Sequence, residues 1–329
     1  MKIENGMKAY AGHMVDKEEL KSSASGGAGT ALAKTVINNG GVVIGAAYAD
    51  GFRAAEYVVV EKTEDLGQLK GSKYVPARKN SEGIIIYEKV QKLLADGKRV
   101  LFIGLPCDVG ALFSWLEKMD IQTENLITVD LICHGCTPEK VQQLFIDSLE
   151  KKYSSSMEQF STRYVNKTWA MPYVYAKFKN GKVFKKPLYE TDFGFALKYY
   201  LRQSCFNCQF KGERHRADIT MGDLWGLQPK DPLYNKDGVS VMIVNSSKGA
   251  SLIDQIDRSK FDLAEVNFDT AVSGNPMYVQ SIQKPAFYET FEKDLTANGL
   301  REAVTRSPRY GVYKKAALKN RLLLFLGKK

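Results

Sequence analysis

The chain has 329 residues, 44% of them hydrophobic and 26% charged, an ordinary globular balance with length enough for two domains or one large one. The net charge of +10 is compatible with nucleic acid, a membrane surface or an anionic cofactor, but no basic, aromatic-rich recognition motif accompanies it, so nucleic acid is not expected as a partner. No apolar run reaches the roughly 18 residues of a membrane span and the first twenty residues hold no signal-peptide core, which makes a cytoplasmic protein with reduced thiols the expectation.

Residues 1–20 are polar and read as an irregular arm. Gly27–Asn39 reads as a short helix stopped by Gly40-Gly41. Val42–Ala47 and Ala54–Val60 read as strands joined by a turn at Asp50-Gly51, Asp65–Leu69 as a helical turn, and Ile84–Ala95 as an amphipathic helix. Then an α/β rhythm sets in. Arg99–Ile103 is an apolar strand ending in a loop with Cys107, followed by a helix at Val109–Lys118. Leu126–Ile132 is a second, ending in Cys133-His134-Gly135-Cys136, followed by a helix at Pro138–Glu150. Repeated strand, cysteine loop and helix predict a parallel sheet with both loops at the carboxyl edge, where open α/β sheets bind ligands.

Tyr173–Phe178 and Val183–Lys186 read as a hairpin over Asn180-Gly181, Phe193–Tyr200 as a helix, Ile219–Gly222 and Val239–Asn245 as short strands, and Lys248–Asp257 as a helix. A basic helix is expected from about Tyr310, with the apolar run Leu322–Leu326. The predicted class is α/β, divided into an arm (1–20), a small N-terminal α/β domain (21–83), a larger α/β domain carrying the cysteine loops (84–270) and a basic helical tail (271–329).

Five cysteines, an odd number, argue against a disulfide framework. Cys205-Phe206-Asn207-Cys208 is a C-x-x-C, which lets two thiolates reach one centre from a single turn. With no second such pair, a four-cysteine site must recruit Cys107 and either Cys133 or Cys136. A metal or cluster site, dithiol redox chemistry and plain apolar filling all remain open, and spacing does not separate zinc from iron–sulfur. His134 sits inside one cysteine loop, and His215 lies in the basic segment Lys211–Arg216, suited to offset thiolate charge or to bind phosphate.

Ser22–Gly27 is a run of small residues leading into a helix, where free N–H groups can meet a phosphate, although a plain serine cap explains it equally well. Gly71-Ser72-Lys73-Tyr74 is a polar loop with one lysine, and Asp218–Gly226 gathers Asp223 and Trp225 around a short strand.

Taken in order, SSASGGAGTALA (Ser22–Ala33), KGSKYV (Lys70–Val75), VLFIGLPC (Val100–Cys107), VDLICHG (Val129–Gly135), SCFNCQFK (Ser204–Lys211) and ADITMGDLWG (Ala217–Gly226) resemble the beta subunit of coenzyme F420 hydrogenase/dehydrogenase. The resemblance implies FAD and a [4Fe-4S] cluster, with Cys107, Cys133, Cys205 and Cys208 as ligands and Cys136 spare. Ser25, Gly26, Gly27, Ser72, Lys73 and Tyr74 would contact the flavin, with Lys73 facing the reduced flavin anion or a phosphate. His134 and Asp223 are the candidate proton carriers.

Many relatives carry a ferredoxin-like C-x-x-C-x-x-C segment, but no cysteine precedes Cys107 here, so one cluster is expected, with a separate ferredoxin or partner redox subunit as donor. Leu105, Asp108 and Gln209 stand where the family commonly has Thr, Gln and Pro. The implied activity is a flavin-dependent oxidoreductase passing electrons to a small organic acceptor, coenzyme F420 or another, with surface polysaccharide synthesis a looser association. The alternative is a non-catalytic electron-transfer subunit.

Arg301, Arg306, Arg309, Lys314, Lys315, Lys319, Arg321, Lys328 and Lys329 share the end of the chain with a single acid, Glu302. A solvated helix face explains this, and contact with an anionic membrane surface, as a peripheral protein, is the competing expectation.

Overall fold

The fold is described from a computed structural model covering residues 8–81 and 83–325; part of the expected arm and the end of the Leu322–Leu326 run lie outside these residues. In chain order the strands are β1 (Ala9–Met14), β2 (Val42–Ala49), β3 (Ala54–Val60), β4 (Ala77–Arg78), β5 (Asn80–Ser81), β6 (Ile84–Ile85), β7 (Val100–Ile103), β8 (Leu126–Leu131), β9 (Met157–Tyr164), β10 (Tyr173–Phe178), β11 (Val183–Pro187), β12 (Ile219–Asp223), β13 (Ser240–Val244) and β14 (Phe261–Val266). The helices are α1 (Lys17–Ser22), α2 (Ala28–Asn38), α3 (Ile86–Ala95), α4 (Pro106–Lys118), α5 (Glu139–Tyr153), α6 (Asp192–Tyr199), α7 (Ser247–Asp254), α8 (Phe268–Ser273), α9 (Tyr288–Asn298), α10 (Leu300–Arg306) and α11 (Tyr310–Phe325).

Nine strands form one sheet in the order β14-β1-β13-β12-β8-β7-β2-β3-β4. Its centre, β12-β8-β7-β2, is parallel, as the repeated strand, loop and helix pattern predicts. Outside that centre β3 joins β2 antiparallel, and β13, β1 and β14 continue antiparallel on the other side, so the sheet is mixed rather than purely parallel. Strands from before and after residue 84 belong to this same sheet, through the parallel pairing of β2 with β7.

Alternation sorts the central side chains to two faces. Val43, Leu101, Ile127 and Val129 pack beneath α2 and α7. Ile44, Phe102 and Leu126 point the other way, against α3 and α4. Burial on both faces is why RVLFI and LITVDLI are almost wholly apolar.

Residues 9–14 are not an irregular arm: they form β1, hydrogen-bonded on both sides within the sheet. The segment Ala9-Tyr10-Ala11-Gly12-His13-Met14 is poor in β-branched residues, which hides it from propensity. Gly12 is what the packing needs there, since a Cβ on it would fall 2.1 Å from the Asp262 carbonyl oxygen.

A second layer covers the carboxyl edge of the sheet. β9, β10 and β11 form a separate antiparallel sheet that shares one apolar cluster with α5, α6, α9, α10 and α11. Phe178, Phe193 and Phe195 are fully buried at its centre. Thr191 caps α6 by accepting from the Gly194 N–H at 3.0 Å. Among the described residues no helix is long and apolar enough to cross a membrane.

Candidate functional site: a cavity beside five cysteines

The two cysteine loops leave the carboxyl ends of adjacent parallel strands. β7 runs into Gly104-Leu105, and Pro106 and Cys107 open α4, a position where proline's fixed φ and missing N–H suit a helix start. β8 runs into Ile132–Thr137, where Cys133 and Cys136 lie. The C-x-x-C arrives from elsewhere, on a 3₁₀ turn at Gln203–Asn207. Two glycines admit it. A Cβ on Gly110 of α4 would lie 2.3 Å from the Phe210 ring. A Cβ on Gly135, whose φ is +122°, would lie 3.1 Å from the Cys205 Cβ. The Arg202 N–H donates to the Cys136 carbonyl at 3.0 Å and the Cys208 N–H to the Ser281 hydroxyl at 3.1 Å, which fixes the turn.

The five thiols share one neighbourhood. Burial pushes the Cys107 thiol up to about 11, with Asp108 adding to it and Lys79, Arg202 and Cys208 also felt. Burial pushes Cys133 to about 12, opposed by Lys211. Cys136 and Cys205 are in hydrogen-bond contact, which raises Cys136 and lowers Cys205. Lys211 is 6% exposed and donates to the carbonyls of Cys133 and Met277, a buried cation placed against the cysteine loop. Among the described residues no three His, Cys, Asp or Glu side chains close on a point that could hold a single metal ion.

A cavity of about 680 Å³ opens beside these loops at the carboxyl edge of the parallel strands. One wall is the start of α2, where Gly27, Gly29 and Thr30 face the cavity. Gly27 holds the left-handed φ of +84° at the helix cap and has no side chain to cap α2; the Ala28 N–H donates to the Ser240 hydroxyl at 3.4 Å, and the next residues, Gly29 and Thr30, lie on the cavity. Another wall is the 70–75 loop, and the far side is formed by Cys133, His134, Gly135 and Cys136. Arg163 of β9, Tyr189, Asp223, Trp225 and α11 complete it.

Ser25, Gly27, Ser72, Lys73, Tyr74, Cys133, His134 and Asp223 therefore line one cavity. Gly26 does not: a Cβ there would lie 2.2 Å from the Gly12 carbonyl oxygen and 2.4 Å from the Ser240 nitrogen, so its role is close packing of the loop against β1 and β13. The Ser25 hydroxyl is also committed to backbone, donating to the Val239 carbonyl at 2.8 Å. Cys107, Cys205 and Cys208 stand behind the cavity wall rather than in it.

Lys73 lines the cavity, but its ammonium donates to the carbonyls of Gln68, Leu69 and Lys70, at 3.2, 2.9 and 2.8 Å, closing the end of a 3₁₀ turn. Burial draws it down to about 7, and the three carbonyls work in the opposite direction. The Tyr74 carbonyl accepts from the Thr137 N–H at 3.0 Å and the Ser72 carbonyl from the Thr162 hydroxyl at 2.8 Å, tying this loop to the second layer.

His134 has a buried Nδ1 without a hydrogen-bond partner, and burial, then the charges of Lys211 and Lys198, lower its pKa. His134 thus lines the cavity with a ring nitrogen that no described residue satisfies. Asp223 is engaged instead, accepting from Arg163 Nη1 at 2.8 Å.

Sequence reading passes over Arg163, Tyr189 and the α11 residues Tyr313, Ala316, Ala317 and Asn320 on this cavity. The alternation of MEQFSTRY, with Phe160 and Thr162 buried, is the available signal for β9. A further buried contact joins the layers near the cysteines: Asp130 Oδ2 lies 2.7 Å from His215 Nδ1, and the imidazole stacks on Tyr278 at 5.2 Å.

A family model for the C-terminal part of the coenzyme F420 hydrogenase/dehydrogenase beta subunit matches residues 97–267, and a companion model for the N-terminal part of the same protein matches residues 9–82. No curated protein sequence matches the chain. Among solved structures, a chain of the F420-reducing [NiFe] hydrogenase complex from Methanosarcina barkeri has the same fold, with a TM-score of 0.54 and 19% identity over 89% of this chain and 96% of that one. With one family model spanning more than half of the sequence and its companion nearly half of the remainder, the chain belongs to the coenzyme F420 hydrogenase/dehydrogenase beta subunit family.

Proposed function

We propose that the protein is an iron–sulfur flavoprotein oxidoreductase, holding FAD in the cavity and a [4Fe-4S] cluster on Cys107, Cys133, Cys205 and Cys208. The observation that carries this is the shared wall: the Cys133–Cys136 loop belongs both to the cavity and to the cysteine neighbourhood. Electrons moving between the two groups would cross only that loop.

The donor sets fit. Cysteines from three segments, near enough to feel one another's charge, are the donor type that a four-iron cluster takes. Lys211 and Arg202 offset the negative charge of such a centre, and the glycine at 135 leaves the room that a side chain would fill. A largely apolar cavity of about 680 Å³ with a helix start in its wall suits a dinucleotide with an aromatic ring.

When bound, FAD would supply hydride and single-electron chemistry and the cluster single-electron transfer. The chain's own residues bind and orient. The first turn of α2, after Gly27, receives a phosphate; Lys73 and Tyr74 hold the 70–75 loop against the ring system; His134 holds or yields a proton at Nδ1. Asp223 serves as the partner of Arg163, which keeps the guanidinium at the cavity wall. A ferredoxin or partner redox subunit supplies electrons, and a small organic acceptor, coenzyme F420 or another, removes them.

The engagement of Asp223 favours a second reading, an electron-transfer subunit without substrate chemistry, because it leaves only His134 Nδ1 and the Tyr313 hydroxyl as unpartnered buried acid–base groups among the described residues that line the cavity. Anaerobic purification with assay of iron, sulfide and flavin tests both readings together, and a colourless protein lacking all three overturns both. Turnover of an organic acceptor with reduced ferredoxin then separates the enzyme from the carrier.

A further inference from the structure

The helix α11 has two different faces. Tyr313, Ala316, Ala317 and Asn320, spaced as one helix face, line the cavity. The opposite face carries Leu318 and Leu322, one turn apart and 49% and 53% exposed. Helical neighbours of this pair on either side are Lys314, Lys315, Lys319 and Arg321, all exposed. Val312, 56% exposed, is a further exposed apolar side chain near the start of the helix, separated from this pair by Lys315 and Lys319. Arg321 meets Glu190 at 3.3 Å, and no acidic residue lies in α11 itself.

An exposed apolar stripe rimmed by lysines is the pattern of a helix that lies in the plane of a bilayer, with leucines below the headgroups and lysines among acidic phosphates. Single exposed leucines are ordinary on a solvated helix, but here two adjoin within a ring of cations, and the flanking charge selects an anionic surface. We infer that α11 docks the protein on an anionic lipid bilayer through Leu318, Leu322 and the surrounding lysines. Docking in this orientation leaves the cavity on the protein side of α11, one helix diameter (~10 Å) from the membrane. The inference stands apart from the cofactor reading, because lipid binding is measured without electron transfer.

The test is co-sedimentation of the full chain with vesicles of phosphatidylcholine, with and without phosphatidylglycerol. Binding is expected only when phosphatidylglycerol is present, and it should fall as salt rises. Leu318→Asp with Leu322→Asp, and separately Lys315→Gln with Lys319→Gln, should each weaken it by roughly tenfold or more. All four positions are exposed, and circular dichroism checks that each variant is folded. Failure to bind anionic vesicles at low salt overturns the inference. So does equal binding by the folded variants, or self-association through this face without vesicle binding.

Discussion

The Arg163 guanidinium lies 2.8 Å from the Asp223 carboxylate, joining β9 of the small sheet to β12 of the central sheet across the cavity wall. The Tyr74 hydroxyl stands 3.4 Å from the same guanidinium nitrogen. Burial works to lower the guanidinium pKa, and Asp223 and Tyr74 outweigh it. The two side chains are 13% and 16% exposed, so little water is at hand to replace either partner. Arg163→Met should therefore destabilise the protein by about 2–3 kcal/mol, below the ~3–5 kcal/mol of a fully buried broken pair. Adding Asp223→Asn should recover much of the loss. Urea denaturation of the two variants measures it, and an unchanged midpoint in Arg163→Met would contradict the pairing.

The Cys136–Cys205 contact leads to a prediction about the cluster-free protein. Cys205 is lowered chiefly by the Cys136 hydrogen bond, whereas burial raises Cys107 and Cys133 to about 11 and 12. A thiol with a lowered pKa holds its reactive thiolate at lower pH. Near neutral pH, iodoacetamide should label Cys205 well before Cys107 or Cys133. Cys136→Ala removes the donor, so the half-point of Cys205 labelling should move to higher pH. Peptide mapping by mass spectrometry reads both effects, and faster labelling of Cys107 would refute the assignment.

Gly135 offers a test of the cluster that spares every cysteine. Its φ of +122° and the 3.1 Å approach to the Cys205 Cβ leave no place for a methyl group. Gly135→Ala should cost about 1–3 kcal/mol of local strain and lower the iron content of anaerobically purified protein. Gly181, with φ +80° and nothing within 4 Å of an added Cβ, is the control: Gly181→Ala carries backbone strain without touching the cysteines and should keep its iron. Full iron in Gly135→Ala would remove the steric case for this loop.

How far the site is legible in the sequence depends on where its information lies. Cys107 and Cys133 follow apolar runs buried on both faces, and such runs announce parallel strands whose ends bind ligands. β1 is hidden because its fit depends on Gly12 and on partners beyond residue 239, which no local pattern reveals. Arg163 is hidden because β9 pairs only with β10 and mixes exposed polar residues into its alternation. Gly26 reads as a ligand contact because small residues serve both close ligand approach and close packing; its surroundings decide for packing. α11 is legible as a basic helix, but that its inner face lines the cavity is a tertiary fact.

The last prediction concerns Asp130 and His215, which are 0% and 2% exposed. Their contact uses Oδ2 and Nδ1, while Oδ1 and Nε2 find no partner among the described residues. The pair lies between the Cys133 strand and the segment following the C-x-x-C, with Tyr278 stacked on the imidazole. His215→Ala would leave the Asp130 carboxylate buried and alone, which should cost about 3–5 kcal/mol, more than loss of Arg163, whose partner keeps some solvent. Asp130→Asn with His215→Phe removes the stranded charge and retains the stacking surface, and should be markedly more stable than His215→Ala. If the double variant unfolds at the same urea concentration as His215→Ala, the destabilisation comes from lost packing on Tyr278 rather than from an unpaired carboxylate.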